Sequence, residues 1–438
     1  MTRIVATIFV ALFVHTLAVP AFSQQPPPPG PRQRDERPFR GLFGGDPRRT
    51  QSLDLTFSTS GDYIDNMTPF QLAPGQIAAD PRFSDSYFFS GANAGLSFTR
   101  RWNHVSLQAS SSHNAFYYPD FHELTGVANS GTFGFSATSG QRFSFNASQS
   151  VAYSPYYGMG GMFGGDPASN PFIGNPLYGV SRRDTLQMFT NAGTSYALTR
   201  RTTLTANYTY QQMRFTTEAL SFGNQNAGAR LSRRMSRNVS LHAGYSRGWG
   251  DYGTLYIGGL PVTQHNIDAG VDYNRALSRR RQSSFGFNTG AVLYTTKLQK
   301  YYRLLANAHF DTEVGRSWSA RAEYARGLNW LQGFSQPIYS DRVTLGATGY
   351  AGTRVQLSFS GGYSNGEPGL SGGAAGVDTY TGRSHVRVAL NRFVGVSAQY
   401  LYYRYTFSAD YPLPPGIPRK LDRQSVLLGV DLWLPLLR

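Results

Sequence analysis

Two pentapeptides have the spacing of an acyl-transfer nucleophile: GYSRG at Gly244–Gly248 and GYSNG at Gly362–Gly366. A serine so placed attacks a carbonyl only where a strand turns sharply into a helix and lifts the hydroxyl clear of the backbone. Both pentapeptides instead end runs of alternating polar and apolar residues, and no helical periodicity follows, so neither is read as a nucleophile. The eight histidines are scattered, with no H-E-x-x-H and no pair at metal-ligand spacing. Cysteine is absent, which excludes disulfides, thiolate metal sites and cysteine nucleophiles. No catalytic, cofactor-binding or metal residue is expected, and the chain is read as a non-enzyme.

The charged residues inside the alternating runs carry more information. Strand parity puts Asp268, Asp272, Arg303, His309, Asp311, Arg321, Glu323, Arg387 and Asp431 on the polar face. If that face lines a lumen, these are pore-lining candidates, and unpaired arginines among them set a field favouring anions. The other reading is that they pair and stiffen the wall, Arg321 with Glu323 and Arg303 with Asp311.

The elements that must hold these residues are strands. In LTRRTTLTANYTY, Leu204, Ala206, Tyr208 and Tyr210 share one face, and Thr203, Thr205, Asn207 and Thr209 share the other. The same alternation recurs with Val105, Leu107 and Ala109; with Phe143, Phe145 and Ala147; with Val239, Leu241, Ala243 and Tyr245; and with Val355, Leu357 and Phe359. Tight turns are predicted near 99–103, 139–142, 199–202, 232–238, 277–282, 312–317, 351–353 and 391–393. Longer connections fall between them, the longest at 154–183. Together they divide the chain into about 18 strands of about ten residues, with both chain ends on the tight-turn side.

Alternation by itself fits a soluble sandwich as well as a membrane barrel. Strand length, the regular exchange of short turns with long loops, and polar faces made of Ser, Thr, Asn, Gln and Gly decide for the barrel. Tyr and Phe pairs at strand ends, such as Tyr117-Tyr118, Tyr156-Tyr157 and Tyr402-Tyr403, belong at a membrane interface. The expected fold is therefore all-β: a single antiparallel transmembrane β-barrel with short periplasmic turns and longer extracellular loops.

Composition agrees. Of 438 residues, 40% are apolar and only 15% charged, while Gly (48), Tyr (28) and Phe (29) are abundant, the reverse of a disordered chain. The net charge of +16 first suggests a nucleic-acid partner. Its distribution argues against one. All basic residues but Lys297, Lys300 and Lys420 are Arg, many in doublets at the predicted tight turns (Arg100-Arg101, Arg200-Arg201, Arg233-Arg234, and the triplet Arg279-Arg280-Arg281). There they anchor at phosphate headgroups or give the mouth a positive rim.

Before the barrel, 1–23 has the layout of a cleaved signal peptide: Arg3, an apolar stretch from Ile4, then Ala21 and Ser23. A Pro/Arg-rich periplasmic linker follows at 24–50, opening on four prolines, and the barrel is expected over 51–438. GLFGGDP at 41–47 nearly repeats as GMFGGDP at 161–167.

Segments such as LTRRTTLTANYTY and ARLSRRMSRNVSLHAGYSRG resemble the β-barrel porin-2 group and similar bacterial outer-membrane barrels. The resemblance covers most of 85–405 and implies an outer-membrane location with a pore or export role. Such chains commonly end in Phe, whereas this one ends LWLPLLR, although Val426, Leu428, Val430 and Leu432 still alternate as a closing strand. The leading expectation is a porin-like channel for passive diffusion of small hydrophilic solutes, anionic ones among them. Its alternatives are an export conduit for an anionic exopolysaccharide and a structural barrel with a blocked lumen. The expected partners are outer-membrane lipids, the barrel-assembly machinery and the solute or polysaccharide, with no nucleic acid and no cofactor.

Overall fold

The computed structural model describes residues 50–65, 86–119, 125–158, 179–216, 221–252, 260–273, 283–295, 300–315, 317–329, 337–369, 376–411, 413 and 419–437. The expected signal peptide and nearly all of the linker lie outside these residues. So do both GGDP repeats and the turn holding Arg279-Arg280-Arg281.

The chain runs through β1 (Gln51–Asp65), β2 (Tyr87–Arg101), β3 (Val105–Tyr117), β4 (Gly126–Ser139), β5 (Phe143–Gly158), β6 (Gly179–Ala197), β7 (Thr202–Phe215), β8 (Ser221–Arg234) and β9 (Val239–Tyr252). It continues through β10 (Leu260–Tyr273), β11 (Ser283–Thr295), β12 (Lys300–Val314), β13 (Trp318–Asn329), β14 (Ile338–Ala351), β15 (Val355–Pro368), β16 (Val377–Ala389), β17 (Val394–Phe407) and β18 (Lys420–Leu437). Each strand pairs antiparallel with its sequence neighbours, and β1 also pairs with β18, so one 18-stranded sheet closes on itself. Closure removes every edge, which a sheet in lipid requires because hydrocarbon offers no hydrogen-bond partner.

Local chemistry explains the short turns. Gly140, Gly315 and Gly352 have φ of 57°, 69° and 69°, a region that side chains with a Cβ seldom adopt. Elsewhere a polar side chain caps the turn. Thr199 Oγ1 accepts from the backbone N–H of Arg201 and Thr202, and Asn391 Oδ1 accepts from those of Phe393 and Val394.

Register fixes the two faces. The row Ala206, Ala229, Tyr245, Ile267, Ala291, Leu304 crosses six strands, and Ile267 and Leu304 are among the most exposed apolar side chains. That is the outer face, apolar and lipid-facing. Trp102, Phe143 and Tyr196 are exposed towards the short-turn end, and Phe88, Tyr363, Tyr380 and Tyr400 towards the loop end, forming two aromatic girdles. Trp318 lies flat over Gly349, its cross-strand partner, and stacks on Phe359 at 6.4 Å. Some polar groups on this face pair with each other: Thr190 donates to Gln149, and His113 bonds Asn129 at 2.8 Å.

Strands run from 12 residues in β13 to 19 in β6, longer than the expected ten. The surplus is at the loop end. There the outer face turns from apolar to charged, with ion pairs Arg326–Asp341 at 3.3 Å and Arg404–Asp422 at 3.9 Å. About nine to eleven tilted residues cross a bilayer, so these strands project beyond it.

Candidate functional site

The inner face carries the chemistry, and its two halves differ. Towards the loop end, inward side chains from strands all round the barrel are dry. Ile64, Phe89, Met213, Val292, Ile338, Thr379, Tyr403, Arg423 and Ser425 are each at most 3% exposed. Tyr118, just past β3, stacks on Phe89 at 4.9 Å. Tyr403, Tyr405, Phe407 and Tyr411 follow ring to ring at 5.8, 5.5 and 4.9 Å. Burial pushes the Tyr411 phenol, which lies past the end of β17, above its ordinary range. Among the described residues Arg423 is the largest fully buried side chain, and Tyr403 is its cross-strand partner.

Towards the short-turn end the inner face is wetter and charged, and most of the sequence-derived candidates are there. Asp268 and Asp272 sit on β10, four residues apart and hence on one face. Arg230 on β8 reaches Asp268 at 2.9 Å across the intervening β9. That reach depends on Gly244, which is the residue paired with both: a Cβ there would run into the Asp268 carboxylate. The opening glycine of GYSRG therefore clears space for an ion pair inside a strand. His242 fits between the two carboxylates, with Nδ1 2.9 Å from Asp272 and Nε2 3.5 Å from Asp268, and its ring lies over Gly270.

A second cluster spans β12 and β13. Arg321 is forked between Asp311 at 3.7 Å and Glu323 at 3.3 Å, its side chain 55% exposed. His309 is the cross-strand partner of Glu323 and covers Gly286 on its other side. A third cluster is on β16–β18, where Arg387 Nε donates to Asp431 at 3.0 Å. Arg383 donates twice to the Gln399 side-chain oxygen, at 3.0 and 2.7 Å, and so meets a neutral partner there.

Arg303 stands apart. It lies on the loop side, pairs with Glu367 at 2.9 Å, and stacks on Tyr339 at 4.9 Å. The wall-stiffening alternative of an Arg303–Asp311 pair does not form, because eight residues along one strand separate them by about 26 Å. Arg230, His242, Arg342, Arg383, His385 and Arg423 also belong to the inner face by register but were not among the candidates. The parity rule could have found them. In stretches such as NQNAGARLSRR, however, both faces are small or polar, and the two phases look alike.

Among the described residues no group of three or more His, Asp or Glu is arranged to hold a metal ion. Both G-x-S-x-G pentapeptides lie inside strands, β9 and β15.

An apolar exterior, a closed sheet and a charged interior define a transmembrane β-barrel with a polar inner wall. No family model and no curated protein matches the chain. Among solved structures it is similar to Pseudomonas aeruginosa OccK2 (OpdF) in complex with glucuronate, at 11% identity over 88% of this chain and 98% of that one, with a TM-score of 0.44. It is also similar to Pseudomonas aeruginosa OpdQ (9%, 88% and 98%, 0.43) and to Acinetobacter baumannii OccAB4 (8%, 89% and 100%, 0.42).

Proposed function

We propose that this barrel is an outer-membrane channel through which small hydrophilic solutes diffuse passively, with its short turns in the periplasm. The observation that carries the reading is the water-exposed, charged inner wall inside an apolar closed exterior. Barrels of this strand number are wide enough to enclose an aqueous path. In this reading Asp268, Asp272, Arg303, His309, Asp311, Arg321, Glu323, Arg387 and Asp431 line that path.

The wall itself comes close to electrical balance, since Arg230, Arg321, Arg387 and Arg303 each face a carboxylate. Preference for anions then falls to Arg383, with its neutral partner, and to the rim arginines such as Arg200, Arg201 and Arg237. Their field is felt over about 10 Å at 0.1 M salt and about 3 Å at 1 M. A planar-bilayer recording is expected to show ohmic conductance and an anion-selective reversal potential that fades as salt rises. Replacing Arg303, Arg321 and Arg387 together by Gln leaves their carboxylates uncompensated and shifts that potential towards cations. Cation selectivity in the wild type would overturn the anion preference.

The dry loop half favours a second reading, a structural barrel with a blocked lumen. The same recording separates the two, because a blocked barrel passes no current.

A further inference from the structure

The outer face of β16, β17, β18, β1 and β2 holds a groove of about 630 Å³. Two outward rows form its floor: Val388, Val396, Val430 and Thr59, and beside them Val386, Ala398, Leu428, Gly61 and Ser90. Apart from Leu428, which stands 61% exposed, these side chains are short, whereas the next outward row on the loop side holds Tyr400, Tyr63 and Phe88, and Phe57 stands on the short-turn side. A Cβ added to Gly61 would meet nothing within 4 Å, so space is open above the floor.

The turns next to the Val388 end of the groove carry two arginines. Val388 pairs with Val355, which follows Arg354, and the Arg354 carbonyl accepts from the Ala389 N–H at 2.8 Å. Arg392 is in the turn between β16 and β17, its guanidinium 4.6 Å from the Phe393 ring centre. Both arginines are exposed. Strands tilt in a barrel, so a row running across them climbs the wall from this cationic lip towards the middle of the apolar band.

We infer that the groove is a binding site for an anionic phospholipid of the leaflet at the short-turn end, with one acyl chain laid along the valine rows and the phosphate at Arg354 and Arg392. The rows supply an apolar trough too shallow in polar groups for a solute, and the lip supplies charge complementary to a phosphodiester. The site rests on the barrel spanning a membrane and is independent of whether the lumen conducts.

The test is native mass spectrometry of the full chain, refolded into vesicles of equal parts phosphatidylglycerol and phosphatidylethanolamine and released in mild detergent. Wild type is expected to retain one phosphatidylglycerol in preference to phosphatidylethanolamine, each arginine near the headgroup contributing roughly a fivefold factor. Gly61→Leu, whose Cβ meets nothing within 4 Å, fills the trough and should lose the retained lipid. The double change Arg354→Gln with Arg392→Gln should keep a lipid but lose the headgroup preference. Ala398→Phe is a second trough-filling variant should Gly61→Leu fold poorly, and heat-modifiable gel migration reports folding. Equal retention of both lipids by wild type, undiminished retention in a folded trough-filled variant, or a dimer occupying this face would each overturn the assignment. Bilayer conductance of the same variants is expected to match wild type, so failure of the channel reading would show separately.

Discussion

The two halves of the lumen are built from the same strands and the same parity, yet they obey different physics. At the loop end the inward positions are mostly Ile, Val, Met, Phe and Tyr, packed to near-zero exposure, with Asp62, Thr379, Ser425 and Arg423 buried among them. At the short-turn end the inward positions are Arg, Asp, Glu and His in clusters that water reaches. Apolar side chains taken out of water stabilise in proportion to the area they bury. A half-exposed ion pair is screened and contributes little stability. The loop half should therefore govern how firmly the barrel holds together, and the turn half what it does to ions.

The sharpest break of that contrast is Met213→Ala, at an inward side chain only 1% exposed. Removing a fully packed side chain is expected to cost about 2–5 kcal/mol. The readout is the urea midpoint for unfolding from lipid vesicles. A midpoint unchanged from wild type would mean that the loop half is not the stabilising region.

The inside–outside distinction comes next. Leu204→Arg sets a charge against lipid and should cost roughly 2–4 kcal/mol. The inward control is Thr209→Arg, which pairs opposite Asn226, because an arginine at Thr205 would face Arg230 directly. Folded yield on an unboiled gel should fall only for the Leu204 variant; equal losses would reverse the face assignment.

Gly244→Val tests the wet half from within. The added atoms displace the Asp268 carboxylate from Arg230, and overpacking of this kind costs about 1–3 kcal/mol. The folded variant should show an altered reversal potential, whereas Gly244→Val with wild-type selectivity would make the Arg230–Asp268 pair irrelevant to ions. The smallest effect on stability is expected for Arg321→Ala, below about 1 kcal/mol, because that guanidinium is more than half exposed. A loss there as large as at Met213 would erase the distinction between the halves.

Much of this architecture was legible from residue types alone. The period-2 alternation, the Arg-, Gly- and Asn-rich turns and the long–short rhythm led to eighteen strands, and the described residues form eighteen, with described turns at 102–104, 140–142, 198–201, 235–238, 352–354 and 390–393. Both strand parity and turn chemistry are local properties, so a linear reading reaches them. Parity also placed Asp268, Asp272, Arg321, Glu323 and Asp431 on one face without any knowledge of closure.

Partners were another matter. Arg321 does pair with Glu323, but Arg303 turns to Glu367 three strands away, and Arg230 meets Asp268 through the gap left by Gly244. These contacts depend on the register between strands and on which glycines leave a neighbour's side chain room to pass. Register is set by pairing across the whole closed sheet, and nothing within a single strand encodes it. The division into a dry loop half and a wet turn half has the same origin. Alternation says which side chains point inward, but whether water reaches them depends on how the eighteen strands and the residues beyond their ends close around one interior.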